Sequence, residues 1–475
     1  MNIAQHFFDA AKKHPNAIAI VDAKREVTFG ELANEVQHLA NGMTEMGIKR
    51  GDSVMVMIPF SIALYTHILA VFSLGAQVVL VDTLKPKKRV EHAFRKSECT
   101  FLLTRPIFKK LRFFIFPKAL WRLIKVVKPQ RKESKLMEVS HEDTALITFT
   151  SGTTGLPKAA DRTHGFLKTQ LETLKEELNL EEGQMHLTSL PVVLMCNLAY
   201  GTTSFIPPKY GHRNKWKSMV AGRSFDLISG SPHHVLRFLD RVHISDGGQV
   251  FVGGATILPH FIKALGKKVD LENVHLVYGS TEAEPITQMK GHQYLSWNRG
   301  EAGICVGETH QNIEVLINKV GAEGLEVLEE GSTGEVLVSG PHVLDKYYKD
   351  QEAFKQHKIL VDGKLWHRTG DAGYWKAGRL YYMGRLRYVH QEEGKVFSPT
   401  VVEKILSREY GVEGTMLRLE ERHVLFVEGN DLQTERITLP YSVDEVKYVN
   451  SFKRDKRHKS RIDYEELVRN YSNKS

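Results

Sequence analysis

The chain is poor in the residues that staple or metallate a protein. It has three cysteines in 475 residues, Cys99, Cys196 and Cys305, far apart and with no CxxC pair. A disulfide framework is therefore excluded, and the three thiols are expected to be buried small hydrophobes in a reducing compartment. The 22 histidines form no HExxH and no Cys/His ligand spacing, so a structural or catalytic zinc is not expected. No run of 18 apolar residues occurs, and no membrane-spanning helix is expected. The opening MNIAQHFFDAAKKHPN lacks the apolar stretch of a secretory leader, so a cytoplasmic location is expected. Internal repeats and low-complexity tracts are also missing.

Charge is present but local. The formal net charge is +9, yet residues 105–137 alone hold eleven Lys/Arg against one acid, Glu133. The rest of the chain is near neutral, which argues against a nucleic-acid binder with charge spread over a face. Within the basic segment Phe113, Phe114, Phe116, Leu120, Trp121, Leu123 and Ile124 alternate with Lys and Arg. The pattern suits a helix or helical hairpin on an anionic membrane surface, broken at Pro117. The bland alternative is a packed surface helix whose basic stems cover the core.

The remaining sequence has ordinary globular composition, 42% hydrophobic and 25% charged, at a length that implies two or three domains. Residues 28–46 place Leu32, Val36, Leu39 and Met43 at helical spacing, with Thr28 and Glu31 set for a capping box. Residues 52–59 and 77–81 read as strands around a helix at 62–74, and 145–150 as a further strand. Later strands are expected at 227–229, 249–252, 275–277, 313–317 and 335–338.

The chemistry begins at 148–158, TFTSGTTGLPK. Two glycines, several hydroxyls and a lysine follow a buried strand and are expected to precede a helix at about 164–178. Glycine lets backbone N–H groups approach an anion, hydroxyls add donors, and Lys158 adds charge. The stretch reads as a phosphate cradle, although it does not fit GxxxxGK[ST].

Together with its continuation AADRTHG, this stretch resembles the phosphate-loop signature of the adenylate-forming (ANL) superfamily, which includes acyl-CoA synthetases, fatty-acyl-AMP ligases and luciferases. Three further stretches match in order: YGSTE at 278–282, HRTGD at 367–371, and Gly384-Arg385 at the hinge before the C-terminal domain. The resemblance implies an α/β fold, with a large N-terminal domain over 1–383 of two parallel-sheet subdomains plus a small β-rich one. A small mobile α+β C-terminal domain would follow at 384–475. It implies ATP and Mg²⁺ as cofactors and CoA as a possible one. Ser151, Gly152, Thr153, Thr154, Gly155 and Lys158 would hold phosphates. Glu282 and Thr153 would ligate Mg²⁺. Gly254, Ala255, Tyr278, Gly279, Ser280, Thr281 and Arg385 would line the nucleotide site, with Asp371 at the ribose hydroxyls. Lys158, Glu282 and Arg461 would be catalytic, and Arg387 would sit at the hinge.

Some positions depart from that pattern. Arg461 stands where the superfamily has its C-terminal lysine, with Lys459 two residues earlier; the two side chains are not interchangeable. The C-terminal unit is shorter than usual, trimmed between Glu428 and Leu439. Residues 190–207 and 225–232 resemble the β-lactone synthetases of bacterial olefin biosynthesis, which need no CoA. The expected function is adenylation of a long-chain fatty or hydroxy-fatty acid, then transfer to CoA. The alternatives are closure of a 2-alkyl-3-hydroxy acid to a β-lactone, or a non-catalytic acyl- or nucleotide-binding protein.

Overall fold

The computed structural model describes residues 1–472 apart from 82–86, 111–112, 114–115, 122, 132–134, 151–156, 209–212, 393, 430–436 and 456–459. The chain divides into two compact units. One comprises 1–228, 241–246 and 344–356; the other comprises 229–240, 247–343 and 357–475.

The first unit is built on parallel strands, as the βαβ patterning predicts. The Thr28/Glu31 capping box forms, with reciprocal bonds of 2.9 and 3.2 Å, and starts the helix Phe29–Glu45. A six-stranded sheet runs in the order Ile124–Lys125, Phe101–Thr104, Ser53–Met57, Gln77–Leu80, Thr144–Thr150, Lys158–Thr163. All neighbours are parallel except the last pair. Ser53–Met57 is buried at every position, as a strand covered on both faces must be. A second parallel group joins Met185–Thr188, Thr203–Phe205 and Ile18–Val21.

Two expectations are corrected here. The helix His164–Glu177 forms, but it does not follow the glycine-rich loop. The strand Lys158–Thr163 intervenes and pairs antiparallel with Thr144–Thr150, Thr150 opposite Lys158. Residues 151–156 thus connect two antiparallel strands, so no helix N-terminus directly follows them.

The basic segment is not a helical hairpin among the described residues. It has a short helix at Pro106–Lys110, a 3-10 turn at Lys118–Leu120 and a strand at Ile124–Lys125. Phe116, Leu120 and Ile124 are buried in a core cluster with Met55, Val79, Phe94 and Leu102. Burial of these side chains outweighs an amphipathic helix, and the strand Ile124–Lys125 pairs with Phe101–Thr104 to extend the sheet. Ile107, Phe113 and Leu123 stay exposed.

The second unit is richer in antiparallel strands. Residues 250–252 pair parallel with 274–276, and Val274–Ser280 then pairs antiparallel with Ala283–Lys290. Lys364–Lys376 lies antiparallel to both Gly334–Ser339 and Arg379–Arg385. The C-terminal strands Gly414–Leu419 and Arg422–Glu428 alternate their faces. Met416, Leu425 and Val427 pack with Phe397, Val402 and Leu406 on one side. Leu417, Val424 and Phe426 pack with Phe452 and the helix Tyr464–Ser472 on the other. Period-two alternation thus gives one small sheet two apolar faces, each covered.

Candidate functional site

A cavity open to solvent lies within the second unit. Its walls are mostly apolar, and its polar groups converge from four separate segments: Tyr278, Asp371, Arg385 and Arg461. That composition is typical of a small-molecule site.

Strand register explains the meeting of Asp371 and Arg385. The two are direct cross-strand partners in the pairing of Lys364–Lys376 with Arg379–Arg385, so their side chains are within reach. Arg385 Nη1 lies 3.2 Å from Asp371 Oδ1. This is a charge contact, since Oδ1 is buried and accepts no hydrogen bond among the described residues. The other oxygen, Oδ2, accepts from the Tyr278 hydroxyl at 2.7 Å. Burial, reinforced by Asp371, raises the Tyr278 phenol well above its usual range, so it stays a donor. The Asp371 charge likewise raises the Arg385 guanidinium against the effect of burial.

Gly254, Ala255 and Gly279 line the same cavity. Gly254 has φ +79°, a backbone conformation that side chains disfavour. Ser280 ends the strand Val274–Ser280, and Thr281 and Glu282 make the turn to Ala283–Lys290. Glu282 N–H donates to Ser280 Oγ at 3.3 Å. Among the described residues no cluster of three metal-binding side chains occurs. A single carboxylate such as Glu282 still suits Mg²⁺, which keeps waters and takes phosphate oxygens as its remaining ligands.

Arg461 reaches the cavity from near the C-terminus, and its Nε is buried without a hydrogen-bond partner among the described residues. Arg387 pairs with Glu465 at 3.0 Å and stacks on Tyr388. Just before it, Gly384 has φ +122°, and a Cβ there would come within 2.8 Å of Thr400 Oγ1. Lys158 belongs to the first unit, with Nζ 6.0 Å from the Tyr347 ring centroid. Ser151, Gly152, Thr153, Thr154, Gly155 and Lys459 lie outside the described residues.

The chain matches the model of the AMP-binding enzyme family over residues 7–348. The chain belongs to the AMP-binding enzyme family. It is 27% identical over 440 residues to the olefin β-lactone synthetase of Xanthomonas campestris pv. campestris, covering 81% of this chain and 78% of that one. It is 26% identical over 405 residues to a 2-succinylbenzoate–CoA ligase of Bacillus cereus, covering 82% and 80%. In fold it resembles ATP-bound MatB from Rhodopseudomonas palustris, with TM-score 0.82, 18% identity and 99% of both chains covered. It also resembles the AMP complex of O-succinylbenzoate coenzyme A synthetase from Bacillus subtilis, with TM-score 0.78, 20% identity and coverage of 95% and 96%. As a member of this family the chain is an adenylate-forming ligase that uses ATP. The α/β fold with parallel sheets and a small C-terminal domain is that of the adenylating enzymes.

Several cavity residues carry no motif. Tyr382 lines it with its phenol pushed up to about 12 by burial, and Ile257, Met289 and Cys305 complete the apolar wall. Leu276 with Tyr278, and Ile304 with Val306, recur at a spacing of two. That strand-face periodicity is the one sequence signal for them. Lys404 is also unmarked. It is 1% exposed, and its ammonium donates to Glu301 O at 2.8 Å and Gly303 O at 2.6 Å. It thereby ties the helix Pro399–Ile405 to the backbone just before Ile304 in the cavity wall. Burial lowers its pKa to about 8.

Proposed function

We propose that this AMP-binding enzyme adenylates a long-chain fatty or hydroxy-fatty acid with ATP and Mg²⁺, then passes the acyl group to CoA. The observation that carries the reading is the convergence of Tyr278, Asp371, Arg385 and Arg461 on one apolar cavity. In the first step a carboxylate oxygen attacks the α-phosphorus. The Pα–O bond to pyrophosphate breaks, and an acyl-AMP mixed anhydride forms. Such a reaction asks the protein for positioning and charge neutralisation.

Asp371 Oδ1, buried and without a hydrogen bond among the described residues, would accept from a ribose hydroxyl, with Arg385 beside it. Gly254, Ala255, Gly279 and the Tyr278 ring would flank the base, with Ser280 and Thr281 leading toward the phosphates. The loop Ser151, Gly152, Thr153, Thr154 and Gly155, with Lys158, would hold the β- and γ-phosphates. Glu282 and Thr153 would hold Mg²⁺, which when bound neutralises phosphate charge. Arg461 would neutralise the carboxylate and α-phosphate as they approach. The segment 384–475 would act as a C-terminal domain turning at Arg387.

The second step has a specific rival. Similarity to the olefin β-lactone synthetases favours a reading in which the substrate is a 2-alkyl-3-hydroxy acid. Its own hydroxyl oxygen then attacks the acyl carbon, loses its proton and expels AMP, closing a β-lactone without CoA.

For residues 105–137 we propose peripheral contact with an anionic membrane. Exposed Ile107, Phe113 and Leu123 stand among exposed Lys109, Lys110, Lys118 and Lys125. Apolar insertion and cationic attraction would act together there.

The test is acid-dependent pyrophosphate release from ATP across C8–C18 acids and their 3-hydroxy derivatives, with products read by mass spectrometry with and without CoA. Acyl-CoA supports the leading reading; a β-lactone formed without CoA supports its rival. Lys158→Ala and Glu282→Ala are expected to abolish release. No release by the wild type with any acid would sink both enzymatic readings.

A further inference from the structure

Arg461 is held unevenly: both backbone polar groups are bonded, while its side-chain Nε is buried without a hydrogen-bond partner among the described residues. Residues 453–455 and 461–463 pair as a narrow antiparallel ribbon. Asp463 N–H donates to Lys453 O at 2.9 Å, Arg454 and Ile462 form an antiparallel bridge, and Asp455 N–H donates to Arg461 O at 2.9 Å. The base of the ribbon is seated in apolar core, where Phe452 and Ile462 pack with Leu417, Val424 and Phe426. Arg454 braces one edge by pairing with Glu413 and donating to Ser460 O at 3.2 Å.

Asp455 closes the structure. A single oxygen, Oδ1, accepts from Ser460 N–H at 3.2 Å and from Arg461 N–H at 3.0 Å. Both backbone polar groups of Arg461 are therefore satisfied by one residue. A charged acceptor makes these bonds stronger than neutral ones. At the other end of the residue, which lines the cavity, Nε is buried with no hydrogen-bond partner among the described residues. Arginine carries a long, rotamer-rich stem, and aiming its planar fork requires the backbone beneath it to be fixed.

We propose that Asp455 is a positioning residue for Arg461, locking the ribbon so that the guanidinium projects into the nucleotide cavity toward an anion. The inference rests on the reading of Arg461 as the charge that meets carboxylate and α-phosphate. Asp455 touches no reacting atom; it acts through Arg461.

Two measurements on the full-length chain test it. The first is steady-state pyrophosphate release with ATP, Mg²⁺ and the best acid of the C8–C18 and 3-hydroxy panel. Asp455→Ala is expected to lower kcat about tenfold or more, with KM for ATP within about twofold, because misaiming costs the transition state more than binding. Asp455→Asn keeps the acceptor atom and is expected to lose about threefold. Asp455→Ala combined with Arg461→Ala is expected to be no slower than Arg461→Ala alone, as for residues acting as a unit. Wild-type kcat in Asp455→Ala, or an additive double variant, overturns the proposal.

The second measurement is amide hydrogen exchange at 460 and 461, which needs no turnover. Both amides are expected to be protected in the wild type and to lose protection in Asp455→Ala with little change in Tm. Unchanged protection overturns the proposal. An inactive wild type whose amides behave as expected would instead remove the functional reading and leave the brace. Should Asp455→Ala fail to fold, Asp455→Asn carries both measurements, with wild-type kcat and exchange as the overturning result.

Discussion

At the residue scale, the site depends on how one carboxylate divides its two oxygens. Tyr278 fills Asp371 Oδ2 at 2.7 Å, while Oδ1 remains buried without a hydrogen bond among the described residues. The HRTGD and YGSTE motifs mark both residues in the sequence, but nothing there shows that they touch. Their contact depends on strands 93 residues apart. The ring of Tyr278 was expected to face a base; its hydroxyl is an added, orienting feature. Tyr278→Phe keeps the ring and removes the donor, leaving a buried acceptor unpaired at about 1–3 kcal/mol. AMP affinity, measured by calorimetry, is expected to fall about tenfold, with a smaller change in kcat for pyrophosphate release. Unchanged AMP affinity in a folded Tyr278→Phe protein would remove the hydroxyl from the site.

At the element scale, legibility follows periodicity. The helix Phe29–Glu45 and the strand Ser53–Met57 were readable because cap chemistry and an all-apolar run agree with their surroundings. The strand Lys158–Thr163 was not, since KAADRT has no β-branched alternation and forms by pairing with Thr144–Thr150. In the basic segment amphipathic patterning misled. Phe116, Leu120 and Ile124 fill a core, so the surface left for a membrane is Ile107, Phe113 and Leu123 with the flanking lysines. Replacing Lys109, Lys110 and Lys125 together by Gln is therefore expected to weaken binding to anionic liposomes about tenfold or more at low salt. The apparent Tm is expected to stay the same. Sedimentation equal to wild type would leave the segment as packed surface.

At the scale of the whole molecule, the buried titratable groups set how stability depends on pH. Burial pulls His67, His164, His186 and His275 down to about 4. Their folded pKa values lie below the ordinary 6.5, so the unfolded chain binds more protons between pH 4 and 6.5. Stability from this source is full above 6.5 and is lost as the pH falls toward 4. Glu403 works in the opposite sense. Burial raises it to about 7, against the hydrogen bond it accepts from Tyr464. The folded chain therefore holds the extra proton between pH 4.5 and 7, and stability falls as pH rises through that window. Four histidines against one glutamate make acid the destabilising direction below 6.5. Above pH 7 the histidines no longer contribute a slope, and the full cost of ionising Glu403 remains, on the order of 3 kcal/mol. Glu403→Gln keeps an oxygen for Tyr464 and removes the charge. Its apparent Tm is expected to match wild type near pH 4.5 and to exceed it by about 2–4 °C at pH 8. Differential scanning fluorimetry at the two pH values reads the difference directly. A variant whose Tm shift is the same at both would mean that Glu403 is not held protonated by its burial, and that the acid limb belongs to the histidines without opposition.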